Sequence, residues 1–274
     1  MGSEIKYPVV VVHGAGRGDA KTRIGYSTKL RDLVLEGFGQ DEREGAWLEA
    51  PWEGVNDNLD AAIRKILQGI CDEAERKSGK RLAKHVTSWW TKAKLFFGRL
   101  TLMAAKNVLP SLLDILLDLP LYLDAARSRK VKEAVVNRIR EVPDCVLVGH
   151  SLGSVICHDI LSQAVRDNAP LPVRALVTFG SPLQWIEELR QADDPDHRPG
   201  AIAIPWTNLF YRSDPICRHR PLRPGTFTGV VNVALKRQRR RAGIRDSFKS
   251  HTAYWTDPAV AKTIRDYCCE SVGA

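Results

Sequence analysis

Residues 145 to 161, CVLVGHSLGSVICHDIL, pass from an unbroken apolar run into a helical pattern across only five residues, Gly149-His150-Ser151-Leu152-Gly153. A short apolar run bounded by glycine reads as a strand buried on both faces, of the kind found inside parallel sheets. Val9 to Val12 in YPVVVVHGAG shows the same pattern, ended by His13-Gly14-Ala15-Gly16. Strands separated by helix-length segments cannot be hairpin partners, so the expected fold is α/β: a mostly parallel sheet covered by helices on both faces.

The rest of the chain keeps that alternation. Apolar spacing predicts helices over 28–38, 56–77, 130–142 and 154–167, and a closing helix from Pro258. Further strands are expected at 46–52, in VRALVTFGSPL and in TNLFYRSDPI. In such a sheet, ligands bind outside the carboxyl ends of the strands.

One segment departs from the pattern. Residues 76–130 are basic, then aromatic, then leucine-rich, with Pro110 and Pro120 dividing them and Arg99, Lys106, Asp114 and Asp118 interrupting the apolar runs. No uncharged stretch there approaches the roughly 18 residues of a membrane span, so a helical cap or lid inserted in one domain of 274 residues is expected. Packing of the same leucines onto the sheet as ordinary core is the plainer reading.

The five-residue turn bears on chemistry because its serine lies between two glycines, with a strand before and a helix after. Small neighbours let the backbone fold sharply, and the turn aims the Ser151 hydroxyl outward with the Leu152 amide at a helix N-terminus. A serine hydroxyl reacts only when a base takes its proton and an acid orients that base. Three histidines lie beyond residue 180. His197 sits in a loop of charges and prolines, and His219 among arginines that suppress its basicity, which leaves His251 in KSHTAYW. Asp214, in the turn after NLFY, is the expected acid, with Asp246 as the alternative. The amide of Ala15 in HGAG is placed to join that of Leu152 in holding an oxyanion. A phosphate-binding role for this loop is disfavoured, since neither Gly-Lys-Ser/Thr nor G-x-G-x-x-G spacing is present. His13 reads as an organiser of its loop, His150 and His158 as neighbours of the turn, and Asp159 and Asp118 as structural.

Together VVVVHGAG, VLVGHSLGS, TFGSPL, YRSDPI and SHTAYW resemble the α/β-hydrolase superfamily, in particular its bacterial lipase- and esterase-like serine hydrolases. The resemblance covers nearly all of the chain outside 76–130. It implies an α/β-hydrolase fold with Ser151 as nucleophile, His251 as base, Asp214 as acid, Ala15 and Leu152 as oxyanion donors, and no cofactor or metal. The expected activity is hydrolysis of a hydrophobic or lipid-like carboxylic ester. The alternative is a binding module for membranes or partners in which the same residues stand idle.

Charge adds a clue to partners. The chain carries a net +9, with SWWTKAKLFFGRL and KRQRRR as its basic stretches. SWWTKAKLFFGRL interleaves rings with cations, which suits an anionic lipid surface, and KRQRRR is a second basic patch whose plainer reading is a solvated loop; peripheral membrane contact through 89–100 and 236–245 is expected. No nucleic-acid-binding module accompanies the arginines, and no nucleic-acid partner is expected. The N-terminus lacks a signal-peptide core, and the six scattered cysteines suggest reduced thiols, so a cytoplasmic location is expected.

Overall fold

A computed structural model describes residues 5–14, 25–36, 38–39, 45–52, 122, 125–217, 220–236 and 250–269. Within them the chain runs β1 (Val9–Val12), α1 (Thr28–Val34), β2 (Trp47–Glu49), α2 (Ala125–Ile139), β3 (Cys145–His150), α3 (Leu152–Arg166), β4 (Val173–Phe179), α4 (Leu183–Asp193), β5 (Trp206–Tyr211) and β6 (Val230–Leu235). A short 3-10 turn (Tyr254–Thr256) and α5 (Pro258–Cys269) follow. The six strands form one sheet in the order β2-β1-β3-β4-β5-β6, and every pairing is parallel.

The valine run of β1 shows why this sheet is covered on both faces. Side chains alternate along a strand, so Val10 and Val12 enter one core with Val131, Val135, Ile139, Val155 and Ile156 from α2 and α3. Val9 and Val11 enter the opposite core with Leu30 and Val34 of α1 and Val260 and Ile264 of α5. A strand packed on both sides has no place for a polar residue, and all four valines are buried.

The helices match their faces. In α2 the buried Val131, Val135 and Ile139 recur every four residues, and in α5 Val260, Ile264 and Cys268 do the same. α2 begins at Ala125, so the last residues assigned to the insertion belong to this helix. Of the remainder of 76–130 only Tyr122 is described; it is buried, and its hydroxyl donates to Asp159 at 2.9 Å. The helix expected at 56–77 also lies outside the described residues.

Two elements escaped the sequence reading. α4 carries an apolar face of Leu183, Trp185 and Ile186 that charged neighbours obscure, and β6 keeps the polar Asn232 in its middle. That asparagine accepts from Leu222 N and Asn208 Nδ2 and donates to Leu222 O, so β6 is held by side-chain hydrogen bonds as well as by its ladder.

The strand order reverses beside β1. The chain steps from β1 outward to β2, then returns to β3 on the other side of β1, which puts the switch point, where ligands bind in open parallel sheets, at the carboxyl ends of β1 and β3. The first turn of α3 packs against the end of β1, with Gly153 at the contact. A Cβ there would overlap the carbonyl oxygens of Val12 and His13, which are backbone and cannot swing aside. Gly153→Ala is therefore expected to cost about 1–3 kcal/mol or more in denaturant unfolding. Gly225→Ala, where a Cβ would meet nothing within 4 Å, is expected to stay within about 0.5 kcal/mol of the parent.

Candidate active site

Ser151 caps α3 with φ 51° and ψ −125°, a left-handed conformation that L side chains avoid. Among the described residues only Asn168 shares a positive φ without being glycine, and Asn168 follows the end of α3, where that conformation is ordinary. At Ser151 the strain of about 1–3 kcal/mol is held by the surroundings. Ser151 N donates to Phe179 O at 3.1 Å, and Ser154 N donates to Ser151 O at 3.0 Å. Gly149 leaves room for the turn to close, since a Cβ would stand 2.8 Å from Ser154 Cα. Gly14, from the loop after β1, lies so near that a Cβ on it would stand 2.5 Å from Ser151 Cβ. The two strand ends thus meet at the serine.

Asp214 follows β5 and is fully buried. Its Oδ1 accepts Ile216 N at 2.9 Å, and its Oδ2 accepts two donors, His251 Nδ1 at 3.0 Å and the Tyr254 hydroxyl at 2.9 Å. Burial alone pushes this carboxyl upward, but the His251 charge and the hydrogen bonds from His251, Ile216 and Tyr254 outweigh it and hold Asp214 below the ordinary carboxylate range. An ionised carboxylate only accepts, so His251 Nδ1 bears a hydrogen and donates it, and Nε2 is the ring nitrogen turned away from Asp214. The described residues give that Nε2 no partner, nor the Ser151 hydroxyl one, although both atoms are buried. Buried polar atoms are seldom left so, and two at one strand edge mark a place where a proton can be taken up.

Room for the His251 ring comes from Gly180, which turns at φ +60°. A Cβ on it would stand 3.1 Å from His251 Nδ1 and 3.0 Å from Tyr254 Cε2. His150 secures the backbone of the same histidine. Its Nε2 lies 2.9 Å from His251 O, a carbonyl that can only accept, so Nε2 bears the hydrogen. The two rings lie 4.7 Å apart. Burial, then the neighbouring His251, pushes His150 down to about 3, which keeps it neutral at ordinary pH.

The loop after β1 is fastened from three sides. Trp52 Nε1 donates to His13 O at 3.1 Å, the Tyr26 hydroxyl donates to Val11 O at 2.8 Å, and His13 Nδ1 donates to Gly14 O at 2.5 Å. The His13 ring stacks on Trp52 with centroids 5.2 Å apart. The organising role expected of His13 is thus visible in its contacts.

Of the residues singled out in the sequence, Ser151, Leu152, Asp214 and His251 gather at the carboxyl edge of the sheet. Leu152 contributes one of the first amides of α3, which the helix itself cannot satisfy. Ala15, Asp246, Asp118 and His219 lie outside the described residues, as do 89–100 and 237–245, while Lys236 is exposed. His197 is bound elsewhere, with Nε2 2.7 Å from Glu187. His158 packs between Trp206 and Phe227. Asp159 pairs with Arg190 at 2.8 Å and is held well below the ordinary range, the arginine and the hydrogen bonds overcoming burial. Cys145, Cys157, Cys217 and Cys268 are buried thiols outside any disulfide, and burial pushes the Cys145 thiol up to about 12.

Tyr254, His150 and Gly180 supply much of the geometry and were not assigned to it from sequence. Tyr254 had one legible signal, its place three residues after His251 in SHTAYW. No family model matches this chain, and no curated protein sequence matches it.

His150 makes stability depend on pH. In the unfolded chain it binds a proton below about 6.5 and in the folded chain only below about 3, so its contribution is complete above 6.5 and is lost as the pH falls between the two. Unfolding measurements from pH 7 to 4 are expected to show a loss of up to about 1.4 kcal/mol per pH unit from this group. His150→Gln, which keeps a donor for His251 O, is expected to flatten that slope.

Proposed function

We propose that this chain is a serine hydrolase of the α/β-hydrolase type that cleaves a hydrophobic or lipid-like carboxylic ester. The observation that carries the reading is the Asp214–His251 hydrogen bond through Nδ1, beside which His251 Nε2 and the Ser151 hydroxyl are both buried without a hydrogen-bond partner among the described residues. Three further features support it. Ser151 sits on a strained strand-to-helix turn, the acid and base follow in the order Ser151, Asp214, His251, and the serine turn lies at the switch in strand order.

In the proposed cycle Ser151 Oγ attacks the ester carbonyl and its proton passes to His251 Nε2. The imidazolium formed is stabilised by Asp214, which stays ionised. The amides of Leu152 and Ala15 hold the negative oxygen of the tetrahedral intermediate. Collapse expels the alcohol, which takes the proton back from His251, and leaves an acyl group on Ser151. Water, with His251 again as base, releases the acid and restores the enzyme. No step calls for a metal or organic cofactor.

The aromatic and basic composition of 89–100 and the basic composition of 236–245 support an ester presented at an anionic lipid surface. Among the described residues no helix is long and apolar enough to cross a membrane.

A fluorophosphonate probe is expected to label the wild type once and to spare Ser151→Ala. Turnover of p-nitrophenyl esters should disappear with Ser151→Ala and fall by about 10³- to 10⁴-fold with Asp214→Asn, which stabilises the wrong tautomer of His251. Folded wild-type protein that takes no label and turns over no ester would refute the proposal and leave the binding-module alternative.

A further inference from the structure

We propose that Tyr254 is a positioning residue for the acid–base pair: its hydroxyl donates to the same Asp214 oxygen that His251 uses, and so limits how strongly Asp214 draws a proton onto His251. The proposal rests on the reading of Asp214 and His251 given above.

The direction of the hydrogen bond follows from its partners. Tyr211 N lies 2.9 Å from the Tyr254 hydroxyl, and a backbone N–H can only donate, so the hydroxyl oxygen accepts there. Its own hydrogen is then directed to Asp214 Oδ2 at 2.9 Å. Tyr254 is fully buried, and burial followed by the Asp214 charge raises its hydroxyl far above the ordinary range, so it stays protonated and keeps donating.

Oδ2 is therefore shared. His251 Nδ1 approaches it at 3.0 Å and the Tyr254 hydroxyl at 2.9 Å, while Oδ1 is occupied by Ile216 N. A hydrogen bond to an ionised carboxylate disperses its charge, and what is spent on Tyr254 is withheld from His251. The imidazolium then gains less from Asp214 than it would from a carboxylate free of Tyr254.

Other groups facing the pair have roles of their own. His150 is neutral and bound to His251 O, and the Cys217 thiol donates to Asp214 O at 3.4 Å. The Tyr211 hydroxyl donates to Asp257, the Arg212 guanidinium stands over the Phe210 ring at 5.9 Å, and His13 is hydrogen-bonded to Gly14 O. None of these contacts reaches Asp214 Oδ2. Ser213 and Ser250, joined at 2.8 Å, tie the same two segments together without touching the carboxylate, and so provide a control.

The test follows the His251 ring by NMR titration, together with the pH dependence of fluorophosphonate labelling, in the full chain. With Tyr254→Phe the His251 titration is expected to move up by about 0.5–1 pH unit, and the acid limb of labelling with it. Labelling at a pH on that limb should slow about 3- to 10-fold. Replacing Tyr254 with 3-fluorotyrosine, a stronger donor of nearly the same shape, should move both downward, which keeps the sign testable if the phenylalanine variant unfolds. Ser213→Ala should leave both in place. A His251 titration that is unmoved by either change at Tyr254, or that Ser213→Ala moves equally, overturns the proposal. If the wild type takes no label, the hydrolase reading fails, and the NMR titration still decides the role of Tyr254.

Discussion

The arrangement depends on the backbone contact between the end of β1 and the first turn of α3. Gly153 places the helix against the Val12 and His13 carbonyls, and Gly14 places the loop after β1 against Ser151. With side chains at either position the strand end and the helix would have to separate. Close approach matters because β1 and β3 are the strands on which the order reverses, so the contact brings the β1 loop and the serine turn together at the switch point. The left-handed backbone of Ser151 is tolerable for the same reason: hydrogen bonds to Phe179 O and from Ser154 N leave it no alternative path.

A second set of contacts joins the far end of the chain to the switch point. Three of the hydrogen bonds that hold the segment carrying His251 bear on the pair directly: to Asp214 through the ring, from His150 to the carbonyl, and from Tyr254 to Asp214. Each joins residues distant in sequence, and each involves a group that is buried. A buried carboxylate is tolerable only when its lone pairs are taken, and Asp214 meets that condition with three donors. The outcome is a carboxylate that stays ionised and a histidine whose tautomer is determined by its neighbours. These are the properties that the proposed chemistry requires.

Much of this was legible along the chain where the signal was local. The valine run, the glycine-bounded serine and the turn at Asp214 each depend on a few adjacent residues, so their patterns survive without tertiary context. α4 and β6 were not legible, because charged residues crowd the apolar face of one and Asn232 interrupts the other until its partners Leu222 and Asn208 are known. The start of α2 at Ala125 was also misjudged. The helix was expected only from residue 130, and the turn before it, with Arg127 buried, was assigned to the insertion.

By itself the sequence determined that the chain alternates strands and helices, that the sheet is parallel, and that a serine stands between strand and helix with small neighbours. These follow from short-range sterics and from the burial of strands on both faces, which composition records directly. Only the tertiary structure decided which aspartate meets His251, because Asp214 is far from it in sequence and close to it only through the β5 register. It also decided the roles of Tyr254 and His150. The sequence placed His150 beside the serine turn and gave Tyr254 no role; what each does follows from the direction of its hydrogen bond, which comes from a backbone amide in one case and a backbone carbonyl in the other.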